Sequence, residues 1–222
     1  GIHPGGFGFI LLPNPNLVPE TSRTLEAGVN LSFDGTLRDG DRFRAKANYF
    51  HNDLSDYIDA VYRPCGVGGA ACPFGDYQYE NISDAELFGF EVEALYDFND
   101  GFLQASYTHV TGNNKTDDIP LTTVYPHKFV GTAGLRFLDN SLVVGARWTS
   151  LAAQKRVPDD SPTSEAYDLF DVFATYEHNR YFSTAVSLKN ITDEQYIPYR
   201  QTEDIPSAGF QALLSAQVKL GG

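Results

Sequence analysis

The sequence has no methionine, and it has no apolar run long enough to cross a membrane as a helix. The missing methionine predicts a piece of a longer product or a processed one. Residues 1–12 carry no basic stretch followed by an apolar core, so no secretory signal is read there, and any such signal is expected upstream. Cations are few: 16 Lys and Arg against 29 Asp and Glu give a net charge of −13. That balance argues against a nucleic-acid partner, which needs a basic face to neutralise phosphates. Cysteine is limited to Cys65 and Cys72, close together in a glycine-rich stretch. In an oxidising compartment the two would pair. Two free thiols, or half of a metal site, are the alternatives; no His lies between them and no second Cys pair is present.

What the chain does have is period-two alternation over segments of roughly ten residues, the length of a tilted membrane-spanning strand. Leu25, Ala27, Val29, Leu31 and Phe33 alternate with Thr24, Glu26, Gly28, Asn30 and Ser32. Segments around 43–49, 88–96, 103–108, 129–137, 141–149, 182–190 and 210–220 read in the same way. In 168–177, Leu169 and Phe173 share the otherwise polar side with Asp171 and Thr175, which blurs the pattern. This predicts nine strands. Four connections, 34–41, 98–101, 138–140 and 178–180, are short and carry Asp-Gly, Asn-Asp-Gly and Asp-Asn turn chemistry. Four others, 63–80, 111–126, 151–166 and 191–206, are long and rich in Pro, Asp, Gly and Thr. Residues 1–20 are expected to be a further loop.

A soluble sandwich or lipocalin-like barrel also alternates. Three features favour a membrane barrel. The apolar side lacks the bulky filling of a small closed core. The opposite side carries Arg, Lys, Glu, Gln and Asn, which suits a wet or plugged interior. Tyr49, Tyr96, Tyr107, Trp148, Tyr176 and Phe182 recur near strand ends, where aromatic rings form interfacial girdles. The expected fold is therefore all-β, an antiparallel transmembrane β-barrel. Nine strands cannot close a bacterial barrel of even strand number, so further strands are expected upstream.

Three segments carry a family resemblance. Asn14-Pro15-Asn16-Leu17-Val18-Pro19-Glu20-Thr21 resembles the NPNL-x-PE-[TS] segment of TonB-dependent receptors. The stretch from Tyr79 to Glu91, with Asn81, Ala85, Gly89 and Glu91, resembles their N-x-x-x-A-x-x-x-G-x-E strand. Leu188 to Tyr196, with Asn190, Asp193 and Tyr196, resembles their late N-[LI]-[FT]-D-x-x-Y motif. The end departs from the pattern: such barrels commonly finish on an aromatic residue, and this chain ends Leu220-Gly221-Gly222. The resemblance implies that residues 1–222 are about the last nine strands of a 22-stranded barrel, beginning in an extracellular loop and lacking the plug domain.

Within that family, His3-Pro4-Gly5-Gly6 shortly before the NPNL segment most resembles haem receptors of the hemophore-binding type. Read from the residues alone, His3 is first an ordinary loop histidine beside a Pro-Gly-Gly turn, and only second a metal ligand. The resemblance implies a ligand to haem iron, with a second His elsewhere. It also implies uptake of haem, delivered by a hemophore protein and energised by the TonB complex through the plug. A ferric-siderophore receptor and a passive porin are the alternatives. His127 is expected at a rim, and His51, His109 and His178 at interfacial strand ends. Asp117-Asp118 and Asp159-Asp160 fit no EF-hand pattern and read as solvated loop charge. Glu91 and Glu93 read as polar lining and not as a catalytic pair. No enzyme is expected.

Overall fold

Period-two segments with a solvent-compatible face on each side must pair along their whole length, because every backbone N–H and C=O needs a partner. The computed structural model of the chain describes residues 3–4, 10–63, 76–82, 84–159, 161, 163–199 and 206–220, with backbone alone at 3, 4, 10, 11, 59, 60, 62, 63, 76 and 77. Its strands are β1 (His3–Pro4), β2 (Ile10–Leu12), β3 (Thr21–Asp34), β4 (Arg42–Ser55), β5 (Ile58–Arg63), β6 (Asp76–Asn81) and β7 (Asp84–Asp97), followed by β8 (Gly101–Asn114), β9 (Ile119–Pro120), β10 (Lys128–Phe137), β11 (Leu142–Leu151), β12 (Tyr167–Asn179), β13 (Phe182–Lys189) and β14 (Gln211–Val218). Two compact units emerge: Gly1–Leu25, Phe50–Phe88 and Thr111–Leu121 form one, and Glu26–Tyr49, Gly89–Val110 and Thr122–Gly222 the other.

The larger sheet is an antiparallel meander in the order β14-β13-β12-β11-β10-β8-β7-β4-β3, the nine strands that the alternation predicts. Its register aligns the apolar sets. Leu103 faces Ala133, Ala133 faces Ala146, Ala146 faces Val172, Val172 faces Leu188 and Leu188 faces Ala212. A one-residue slip would move each of these to the other face. The apolar face stays open: Leu25, Val29, Leu103, Leu135, Val186 and Leu214 are all exposed. The apolar side chains buried among the described residues are Leu54, Ala85, Leu121, Val124, Pro126 and Tyr199. A soluble barrel or sandwich buries its apolar face in a packed core, and this sheet shows no such core among the described residues.

Aromatic rings collect at both ends of this face. Near the long loops, Phe90 meets Tyr107 at 5.7 Å, Phe129 meets Trp148 at 5.0 Å and Trp148 stacks on Phe170 at 6.3 Å. The Trp148 indole donates to Asp168 at 2.8 Å, so its polar edge is satisfied. At the short turns, His178 lies 4.4 Å from Tyr176 and 4.7 Å from Phe182, and Tyr96 lies 5.7 Å from Phe98.

The polar face explains the blurred strand. Phe102 pairs with Gly134, Gly134 with Gly145, and Gly145 with Phe173. A Cβ at Gly134 would come 2.5 Å from the Phe102 ring, and one at Gly145 would strike Phe173. The two phenyl rings lie over the two glycines, covering backbone that has no side chain of its own. Beside them, Arg136 forms a two-pronged ion pair with Asp97 at 3.0 and 2.8 Å.

The first unit corrects the loop expectation. Residues 1–20 contain β1 and β2, and the long connection 63–80 includes β6, whose partner β5 precedes it. These form a four-stranded sheet in the order β1-β2-β6-β5. The alternation missed them because they are short and their pairing joins residues far apart: Ile10, Leu11 and Leu12 run parallel to Asp76, Tyr77 and Gln78. β4 and β8 also extend past the apolar segments, to Ser55 and Asn114.

Candidate functional site

His3 sits on β1, the edge of the four-stranded sheet, with its backbone opposite Leu11. Its side chain, and both Cys65 and Cys72, lie outside the described residues. The question for the site is therefore what holds the strand that carries His3.

The NPNL segment supplies the answer. Asn14 folds its own turn, its side-chain oxygen accepting from the Asn16 backbone at 3.0 Å, while its amide donates to the Tyr79 carbonyl at 2.9 Å. Gln78 on β6 donates to the Pro13 carbonyl at 2.9 Å. Asn81, at the end of β6, behaves as a two-sided clamp: its oxygen accepts from Val18 N–H at 2.9 Å, and its amide donates to the carbonyls of Val18 at 2.9 Å and Asp56 at 2.6 Å. Glu20 accepts from Ile58 N–H at 3.3 Å. An Asn side chain mimics a backbone donor and acceptor together, which is why it suits a junction where two non-paired chains must be joined. Pro15 and Leu17 make no bond of this kind; Pro15 removes an N–H that would need a partner.

The other two motifs are structural in the same way. Ala85 is fully buried, and a Cβ at Gly89 would collide with the His109 carbonyl of β8, so both positions require small residues. Asn190, buried and at positive φ, accepts from Glu194 N–H at 2.9 Å and donates to the Glu194 carbonyl at 2.9 Å. Its own N–H donates to Asp171 at 2.8 Å. Asp193, also at positive φ, accepts from Phe210 N–H at 2.8 Å, which ties this turn to the start of β14. The motifs were visible in the sequence; the role of Asn81 was not, because its partners lie 63 and 25 residues away.

The remaining histidines are placed away from β1 in sequence and pairing. The Nδ1 atoms of His109 and His127 approach to 3.3 Å, and the Tyr107 hydroxyl lies 3.3 Å from His127. Phe90 stacks on His109 at 5.2 Å, so this pair belongs to the aromatic row on the apolar face. His178 Nε2 bonds the Thr184 hydroxyl at 3.0 Å. Glu91 and Glu93 are exposed.

Long antiparallel strands, an open apolar face bounded by aromatic rows, and alternating short and long connections define an outer-membrane β-barrel wall. Residues 2–191 match the family described as TonB dependent receptor-like, beta-barrel. The chain belongs to the TonB-dependent receptor family, whose members are outer-membrane receptors and transporters and not enzymes. It is 33% identical over 190 residues to the heme/hemopexin utilization protein C of Haemophilus influenzae, a match covering 83% of this chain and 27% of that protein. The chain thus spans about a quarter of that relative's length. Among solved structures it is similar to the copper transporter OprC (TM-score 0.77, 21% identity, 91% of this chain and 32% of that one). It is also similar to the Serratia marcescens hemophore receptor HasR in complex with HasA and heme (TM-score 0.69, 21% identity, 94% and 32%). At that identity, both likenesses speak for the fold alone.

Proposed function

We propose that this chain is the C-terminal barrel segment of a receptor that takes up haem, with His3 as an axial ligand to the iron. The observation that carries the proposal is the placement of β1. His3 lies on a strand paired with β2, β2 pairs with β6, and Asn14, Gln78 and Asn81 tie the NPNL segment that follows β2 to β6 and to Asp56. A metal ligand works when its backbone is held by rigid surroundings, since positional slack costs affinity. The curated relative is named for use of heme and hemopexin, and imidazole is a common haem-iron ligand.

In this reading the exposed apolar face meets lipid, the polar face lines the interior, and the long connections face outward from the cell. A hemophore protein delivers the haem, and the TonB complex acts through a plug domain. Cys65 and Cys72, between β5 and β6 in sequence, close one disulfide in the oxidising environment outside the inner membrane. Mass spectrometry of alkylated, unreduced protein checks that pairing: an unmodified, bridged peptide is expected, and two alkylated thiols contradict it.

The test of function is growth of cells whose other iron routes are deleted. With this receptor they are expected to grow on haem as the sole iron source. Growth on a ferric siderophore, with none on haem, would replace the haem reading by the siderophore one.

A further inference from the structure

Away from β1, two adjacent strands bring a second set of ligating groups together, and this set does not depend on the haem reading. His51 and Asp53 stand two apart on β4 and so share a face, and Glu86 lies on the neighbouring β7. One ligand atom from each lies within 4.8 Å of the others, the only such group of three among the described residues. His51 Nε2 is 3.4 Å from Asp53 Oδ2, close to the separation of neighbouring ligands around a tetrahedral ion with bonds of about 2.0–2.1 Å.

Each member is also held by an outer partner. Phe88 lies against the His51 ring at 6.2 Å with 26° between planes. Asn113 donates to Glu86 Oε1 at 2.8 Å, and Lys115 lies 3.4 Å from Asp53 Oδ1, the oxygen that faces away from His51. The Asn113 amide fixes the orientation of Glu86 and leaves its other lone pairs for an ion, whereas the Lys115 ammonium occupies the carboxylate that a cation would take. The three groups are partly exposed, so an ion can enter from solvent.

We propose that His51, Asp53 and Glu86 form a binding site for a divalent transition-metal ion of the zinc class, which staples β4 to β7. The donor set selects the metal: an imidazole with two carboxylates suits Zn2+, Co2+ or Ni2+, whereas Ca2+ and Mg2+ prefer oxygen alone. The two carboxylates and Lys115 together carry a net charge of −1. An incoming dication is therefore attracted by the carboxylates and repelled by the ammonium. Lys115 competes with the metal for Asp53, which makes its removal the discriminating test.

The experiment uses the intact receptor, stripped with chelator and titrated with Zn2+ by calorimetry and with Co2+ by visible absorption. One Zn2+ ion is expected to be lost, or weakened by about tenfold or more, in both His51→Ala and Glu86→Gln. The Lys115→Gln variant is expected to bind it more tightly than the wild type. Zinc should also raise the thermal unfolding temperature of the wild type and not of Glu86→Gln, because a ligand bound only to the folded state stabilises it. Glu86→Gln keeps the side chain's size, so retained folding separates loss of the site from loss of the strand pair. Unchanged stoichiometry and affinity in both His51→Ala and Glu86→Gln overturns the proposal, as does weaker binding in Lys115→Gln.

Discussion

Asp41 shows how a single side chain organises a short turn of this barrel. It is 1% exposed, and burial alone would favour its neutral form. The Tyr96 hydroxyl at 2.7 Å and the backbone N–H groups of Leu37, Arg38 and Thr36 at 2.9, 2.9 and 2.7 Å outweigh that penalty. Together they lower its pKa from 3.8 to about 2. A carboxylate depressed in the folded state adds stability that is present above 3.8 and lost as pH falls through about 2. Amide protection at Thr36, Leu37 and Arg38 is thus expected to hold from neutral pH down to about 4 and to fall between 3.8 and about 2. Amide exchange, corrected for intrinsic rates, measures it. Loss already at pH 5, or full protection at pH 2, would show that Asp41 does not hold the turn.

Among elements, β10, β11 and β12 show what alternation conveys and what it hides. On the apolar face Gly131, Trp148 and Phe170 follow one another in register, and the period of two announces it. On the polar face, Phe173 breaks the pattern because it covers Gly145, a relation between strands that no single-strand periodicity contains. Gly145→Ala is expected to destabilise folding by about 1–3 kcal/mol through overpacking. Phe173 can move aside, but the Ala133 carbonyl, 2.7 Å from the added Cβ, is backbone and cannot. Folding titrations with Gly145→Ala and the Gly145→Ala/Phe173→Leu pair test this. Full rescue by the second change would assign the whole cost to the ring.

The ends of β4 and β8 were illegible for a related reason. His51-Asn52-Asp53 and Thr111-Gly112-Asn113 lie beyond the apolar segments, where the sequence needs no apolar face and loses its period while the backbone ladder continues. The β1-β2-β6-β5 sheet was hidden because its signal is pairing at long range, carried by Asn81 and not by any local pattern.

At the scale of the whole molecule, the account rests on which face meets lipid. Leu214 is 79% exposed on β14, opposite Val186, while its neighbour Ser215 points to the other face, opposite Ala185. Leu214→Arg is expected to cost about 2–4 kcal/mol if near the bilayer midplane, and Ser215→Arg much less, because only the first places a cation in hydrocarbon. Folding of the intact barrel into bilayers compares them, and equal costs would refute the assignment of faces.

The larger claim is that β1 holds His3 so that its imidazole can bind the iron of an arriving haem. The other haem ligand is expected outside this chain, so the measurement belongs on the intact receptor. It is a haem titration followed by the Soret band, on wild type and His3→Ala side by side. The account predicts a saturable low-spin spectrum for the wild type, with a shifted band and weaker binding for His3→Ala and no change in barrel folding. A wild type that binds haem with a spectrum and affinity that His3→Ala leaves unaltered would contradict it.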